Sequence, residues 1–153
     1  PLYHVLSCNL VAPRLAGKPR VAVVPNTEHT ANTPQHVAAW TMWVGHVLLG
    51  RQVPDLQVDS ETTSDRVTVQ VRVSSATQLD KIELWRTEDS NGRYSDVTWA
   101  SVNMTPKNGV YQATIDRNPE SFLAFFVAVH DNDEKTGTGY ITSRPVEILP
   151  ESR

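Results

Sequence analysis

Hydrophobic and polar residues alternate along most of the chain after residue 55, and this period of two predicts β-strands. The clearest strand is 66–74, where valines occupy every second position. Residues 122–129 are apolar on both faces, which indicates the most buried strand of the set. The other predicted strands are 56–58, 81–86, 97–104, 110–115 and 140–149.

Turn residues separate these runs. Asn91-Gly92 marks one turn, and Lys107-Asn108-Gly109 is typical of a hairpin because Asn-Gly tolerates positive φ. About seven strands with turns every 8–14 residues predict an antiparallel β-sandwich, with a barrel as the less favoured alternative. We therefore expect residues 53–153 to form a mainly β domain, an immunoglobulin/fibronectin-III-like sandwich. Pro145 favours an edge position or a bulge in the last strand.

The pattern before residue 53 is helical. Large apolar residues recur three or four positions apart and predict a helix over 34–49 with one wide apolar face. Thr33 followed by Pro34 is typical of a helix start, and Gly50 of a helix end. The residues of the predicted apolar face are Val37, Trp40, Val44, Val47 and Leu48. We expect Trp40 to pack in a core.

An apolar, β-branched run precedes the helix at residues 20–25 and ends in proline. It predicts one strand buried on both faces, as in a parallel sheet. With the polar loop 26–30 and the helix, residues 1–52 form a strand–loop–helix unit, the terminal part of an α/β layer. A single strand needs neighbours, so this unit must dock on a missing sheet or on the sandwich.

The composition does not favour a nucleic acid or a membrane as the partner. The net charge is −3, from 14 basic and 17 acidic side chains. The sequence has no stripe of basic residues, so nucleic-acid binding is not predicted. No apolar run is long enough to span a bilayer. Cys8 is the single cysteine, so no intrachain disulfide can form. Residues 1–12 look like the result of truncation or processing, not an intact signal peptide. Asn103-Met104-Thr105 is a glycosylation sequon with an unfavourable proline directly after it.

Candidate chemistry is sparse. No Gly-x-Ser-x-Gly elbow and no glycine-rich phosphate loop occur in the chain. His29 lies in a loop between a strand and a helix, where a base histidine of an α/β-hydrolase would be found. The alternative is a loop histidine that caps the chain or is solvated.

A metal site is not predicted, and no cofactor is expected. His29, His36 and His46 are seven and ten residues apart, whereas ligands on one helix face need separations of three or four. Residues 131–134 are rich in acids but lack the full calcium-loop pattern, so a solvated turn is expected. Trp85 is expected to cover an interface or to stack on a ligand.

Residues 20–29 (RVAVVPNTEH), together with shorter motifs, resemble one protein family. The shorter motifs are Gly50-Arg-Gln-Val-Pro54, Ile82-Glu-Leu-Trp85, Trp99-Ala-Ser, Asn108-Gly-Val-Tyr111 and Phe122-Leu-Ala-Phe-Phe-Val127. Over residues 18–149 the chain is similar to the C-terminal part of the PhoPQ-activated pathogenicity-related (PqaA-type) proteins. Residues 1–15 do not follow the family pattern.

The resemblance implies a serine α/β-hydrolase that carries a C-terminal β-sandwich and is secreted or displayed at the cell surface. It implies that His29 occupies the base position, with the serine and the acid upstream. We expect a C-terminal fragment of such a hydrolase-like protein, inactive alone. The alternatives are a non-enzymatic sandwich that binds a protein or glycan, and an assembly piece that recruits a chain carrying the serine.

Overall fold

The fold is a two-sheet β-sandwich with one long helix packed on it. The computed structural model describes residues 7–17, 19–27, 32–94 and 97–151. Its helices are α1 (Ser7–Val11), a 3-10 turn (Ala12–Arg14) and α2 (Pro34–Leu49). Its strands are β1 (Asp55–Thr62), β2 (Arg66–Ser74), β3 (Gln78–Asp89), β4 (Ala100–Asn103), β5 (Thr105–Lys107), β6 (Val110–Asp116), β7 (Phe122–Asp133), β8 (Gly137–Thr142) and β9 (Val146–Ile148).

The strands form two antiparallel sheets. One sheet has the order β1-β2-β6-β5, and the other has β4-β3-β7-β8, with β9 also paired to β7. Apolar side chains from the facing sides fill the space between them, among them Val67, Val69 and Val71 of β2, which are almost fully buried. The predicted mainly β, antiparallel sandwich is confirmed. Its finer assignment as immunoglobulin/fibronectin-III-like stays a prediction, as does a division at residue 52.

β7 is the central strand of its sheet, as its sequence predicts. Leu123 through Val129 are fully buried, because one side of β7 faces the other sheet and the opposite side is also covered. The outer cover includes Ala38 of α2 and Trp99, which pack with Phe126 and Tyr140 in a second apolar cluster. The five-stranded sheet therefore has a core on each side.

Two predicted strands differ from the structure. The strand predicted at 97–104 is shortened to β4, and the chain continues after Met104 as β5 in the other sheet. Met104 donates its N–H to Ile82 O (2.9 Å). The 140–149 run is broken between β8 and β9 around Pro145. There Val127 N donates a hydrogen bond to the Ser143 hydroxyl (3.0 Å), so a side-chain oxygen takes the place of a backbone carbonyl in the ladder.

The prediction of a parallel, doubly buried strand at residues 20–25 is wrong. This segment is extended but makes one isolated antiparallel bridge, between Val21 and Thr142 at the edge of β8. Val23 donates its N–H to the Thr142 hydroxyl (3.1 Å), and the Tyr140 hydroxyl donates to Val23 O (2.7 Å). Side-chain hydroxyls thus replace a regular backbone ladder.

Helix α2 begins and ends where the sequence predicts. The Thr33 hydroxyl accepts a hydrogen bond from His36 N (3.4 Å), and Gly50 adopts a left-handed conformation with φ 70°. Arg51 N then donates to Gly45 O (3.1 Å), closing the last turn. No helix in the described ranges is long and apolar enough to cross a membrane.

Candidate functional site

The side of α2 that faces the sandwich is narrow and built from small or flexible residues. Its buried residues are Ala38, Met42 and Gly45, and they lie against β8. A Cβ at Gly45 would lie 3.1 Å from the Thr136 methyl and 3.3 Å from Arg51 Cδ. The absence of a side chain at Gly45 therefore lets the helix approach the sandwich closely.

The opposite side of α2 is apolar and open to solvent. Six large side chains there are between 38% and 73% exposed. We call this surface the α2 outer face; it consists of Val37, Trp40, Trp43, Val44, Val47 and Leu48. It contains all five residues of the predicted apolar face, so the expectation that Trp40 packs in the core of this chain is wrong. The small residues of the other side make the contact with β8 instead.

The α2 outer face is uneven, with a groove beside Trp40, and none of its side chains is charged. The Trp40 and Trp43 rings are edge to face, with centroids 5.7 Å apart and planes at 89°. Beside Trp40 runs an apolar groove of about 440 Å³, whose lining includes Thr41, Gly45 and Thr136. None of the 16 residues of α2 is Asp, Glu, Lys or Arg. The surface is suited to an apolar contact.

A buried ion pair fixes the C-terminal end of α2 to the sandwich. Arg51 Nη2 lies 2.8 Å from Asp131 Oδ1, and neither side chain is exposed. Arg51 Nη1 also donates to the Thr136 hydroxyl (2.9 Å) and to Gly137 O (3.1 Å), while Asp131 accepts from the Thr77 hydroxyl. These bonds hold the helix, and with it the α2 outer face, in one orientation on the sheets.

A second polar cluster lies around Glu83 on β3. Glu83 accepts hydrogen bonds from Ser101 Oγ (3.0 Å) and His130 Nε2 (3.1 Å), and Lys81 Nζ lies 2.7 Å from it. Burial alone would raise the pKa of the Glu83 carboxyl, but the hydrogen bonds and charges of Lys81, Ser101 and His130 outweigh burial and lower it below its usual value. The carboxylate is therefore ionised at neutral pH and fully engaged.

We expect Glu83→Gln to change how stability depends on pH. A carboxyl whose pKa is lower in the folded protein stabilises the fold above its unfolded pKa, and this contribution is lost as the pH falls through the folded value. Wild type should exceed the variant in stability at pH 7, and the gap should narrow between about pH 5 and pH 3. Urea unfolding at each pH measures this, with exposed Glu61→Gln as the control. A gap that stays constant over this range would contradict it.

The structure places the other sequence candidates as follows. His29 lies outside the described residues, so its role as a base stays a prediction. His36 Nδ1 is 2.8 Å from the Thr33 hydroxyl, and His46 Nδ1 donates to Arg51 O (2.8 Å), so both side chains bond at the ends of α2. In the described part of the chain, no three His, Cys, Asp or Glu side chains are grouped to hold a metal ion.

Two further expectations can be compared with the structure. The expected solvated turn at 131–134 is wrong for Asp131, which is buried on β7 in the ion pair. Trp85 is half-buried and stacks on Phe126, its neighbour on the adjacent strand β7, with centroids 6.4 Å apart. Its role at an interface or toward a ligand stays a prediction. Sequence reasoning missed Arg51 and Glu83, because Asp131 is remote in sequence from Arg51, and Ser101 and His130 are remote from Glu83.

Comparison with solved structures finds two distant likenesses. The crystal structure of a bromine derivative of BhCBM56 has 15% identity and a TM-score of 0.44, covering 65% of this chain and 96% of its own. The second is a beta-1,3-glucan binding domain of carbohydrate-binding module family 56. It has 10% identity and a TM-score of 0.41, covering 61% and 98%. No curated protein matches the chain.

A family model, in contrast, matches the sequence over most of its length. The match covers residues 3–96, from before α1, through α2 and into the sandwich beyond β3. The match thus includes both the helix and the first strands of the sandwich. The chain belongs to the PhoPQ-activated pathogenicity-related protein family.

Proposed function

We propose that this chain is the C-terminal portion of a hydrolase-like protein of this family and is catalytically incomplete by itself. In this proposal His29 supplies the base, and the serine and the acid come from a hydrolase-like part. The observation that carries the proposal is that, among the described residues, His130 and Ser101 both hydrogen-bond to Glu83 and not to each other. A secreted or cell-surface location belongs to the same proposal.

His130 and Glu83 form an imidazole–carboxylate pair in the described part of the chain, and Ser101 lies beside them. The Ser101 hydroxyl donates to Glu83, and His130 donates to the other oxygen of the same carboxylate. A serine nucleophile must instead donate to the imidazole, which then takes its proton. The carboxylate separates the other two groups, so this cluster cannot activate Ser101. Its geometry fits a structural network.

We expect the purified chain to show no ester hydrolysis above the buffer rate. The assay is p-nitrophenyl acetate turnover, with His29→Ala and His130→Ala as matched variants and with protein purity verified. All three proteins should give the same background rate, because no serine among the described residues donates a hydrogen bond to an imidazole. Turnover by wild type that is abolished in His29→Ala would overturn the proposal.

A second candidate is a non-enzymatic module in which the sandwich binds a glycan or a protein. The observation in its favour is a crevice of about 730 Å³ at the end of the sandwich near Gly50. The amide side chains of Gln52, Gln78 and Asn132 line it, and amides suit the hydrogen bonds of sugar hydroxyls. Binding of a soluble beta-1,3-glucan that is lost in Asn132→Ala would favour this candidate.

A further inference from the structure

We propose that a cavity between edge strands of the two sheets binds a small organic acid, a monocarboxylate that carries an apolar chain. The cavity has a volume of about 520 Å³, within the size range of small-molecule sites. It shares no lining residue with the α2 outer face or with the crevice near Gly50. The inference goes beyond the proposed function and does not depend on it.

One wall of the cavity is apolar and joins the core of the sandwich. Leu56 and Val58 of the edge strand β1 line this wall from one sheet. Ile141 of β8 and Val146 of β9 line it from the other sheet. All four side chains belong to the apolar cluster between the sheets or pack against it. An alkyl chain lying on this wall would be removed from water, which favours its binding.

The rim of the cavity carries an excess of positive charge. Two arginines, Arg20 and Arg144, line it together with one acid, Asp55. Arg20 is already engaged, because its Nη1 lies 2.9 Å from Asp55 Oδ1 and donates to Pro54 O (3.2 Å). One positive charge therefore remains on the rim, and it belongs to Arg144.

Arg144 is available to bind an anion. It is exposed, and within the described ranges its guanidinium forms neither an ion pair nor a hydrogen bond. A guanidinium presents parallel N–H groups that match the two oxygens of a carboxylate. With this cation at the rim and an apolar wall beside it, the cavity suits a molecule with a carboxylate at one end and a hydrocarbon chain at the other.

Other classes of ligand fit the cavity less well. A sugar needs several free hydrogen-bonding groups, but the Thr142 hydroxyl already accepts from Val23 N (3.1 Å). The Asn9 amide likewise donates to Pro145 O (2.7 Å). A phosphate has no apolar part, so it would leave the apolar wall in contact with water, and its second negative charge would have no free cation on the rim.

The test is a titration of the purified chain with sodium octanoate at neutral pH, followed by NMR of the backbone amides. We expect saturable binding with a Kd on the order of 1 mM or tighter, as is usual for a ligand of about ten non-hydrogen atoms. The shifted signals should be concentrated in residues 55–58 and 141–146. Acetate, which lacks the chain, and octan-1-ol, which lacks the charge, should each bind about tenfold more weakly, or worse.

Two variants and a control test the anion contact. Arg144→Gln should weaken octanoate binding about tenfold or more, because a hydrogen bond to a charged group is lost. Arg144→Lys keeps the charge and should lose less. The control is Arg66→Gln, which changes an exposed arginine of β2 outside the cavity and should leave the affinity unchanged. Because Arg144 is exposed and has no partner in the described ranges, its variants should fold like wild type, as circular dichroism would verify.

Several results would overturn the inference. One is the lack of saturable octanoate binding, or shifts confined to other parts of the chain. Equal affinity of wild type and Arg144→Gln would show that this arginine does not hold the carboxylate. Octan-1-ol that binds as tightly as octanoate would indicate an apolar cavity without preference for an acid, and inorganic phosphate that binds as tightly would indicate a general anion site.

Discussion

Replacing Arg51 by methionine is expected to lower the free energy of unfolding by about 3–5 kcal/mol. Methionine keeps the unbranched apolar stem but removes the guanidinium that neutralises Asp131. The carboxylate would remain in a site with no solvent exposure, retaining the Thr77 hydroxyl but no counter-charge. Urea denaturation followed by tryptophan fluorescence gives the change directly.

The chain offers a matched control for this prediction. Arg20 and Asp55 form an ion pair of similar length, 2.9 Å, but both side chains are more than 40% exposed. Arg20→Met should therefore cost no more than about 1 kcal/mol, because solvent screens an exposed pair. An Arg51→Met variant as stable as Arg20→Met would show that the buried pair does not hold the helix to the sandwich.

Gly139→Ala is expected to destabilise the protein by about 3 kcal/mol. Gly139 lies on β8 opposite Asp131, and an added Cβ would overlap the Arg51 guanidinium, the Asp131 carboxylate and the Met42 methyl group. These groups are ends of side chains, but the ion pair and the packing of α2 restrict how far they can move. Thermal and urea unfolding measure the loss.

Two comparisons separate crowding from other causes. Gly109→Ala strains a left-handed turn where nothing lies within 4 Å of the new Cβ, so it should cost only about 1–2 kcal/mol. In the Arg51→Met background the cost of Gly139→Ala should change, because residues in contact are energetically coupled. If the losses of unfolding free energy from the two substitutions are strictly additive, the predicted overlap of the added methyl group with the Arg51 side chain is contradicted.

The strands and the helix ends could be predicted because their signals are local. The valines of β2 alternate with polar residues, and the doubly apolar run in β7 has a core on each side, as its composition requires. Thr33 and Gly50 act within one turn of the helix that they delimit. Each of these features depends on neighbours a few residues away.

The orientation of α2 could not be predicted in the same way. Helical periodicity identifies an apolar face but does not say what covers it. Here the larger side chains, such as Trp40, point outwards, and the small Ala38 and Gly45 allow the helix to approach β8. Arg51 pairs with Asp131, 80 residues away in sequence. This pairing depends on the tertiary fold, and no pattern among neighbouring residues predicts it.

The edge contact at residues 20–25 shows a further limit. A short apolar run fits a central parallel strand and a segment lying along a sheet edge equally well. In the structure the segment lies along the sheet edge, where it is hydrogen-bonded to the hydroxyls of Tyr140 and Thr142, more than 110 residues away in sequence.

The central proposal is that this chain is the C-terminal portion of a hydrolase-like protein, and α2 would then contact the hydrolase-like part. Hydrogen–deuterium exchange of the chain, with and without that part, tests it most directly. We expect new protection concentrated in peptides covering residues 34–49, with the exposed outer strand β1 unchanged. Protection confined to the loops of the sandwich, with none in α2, would contradict the account.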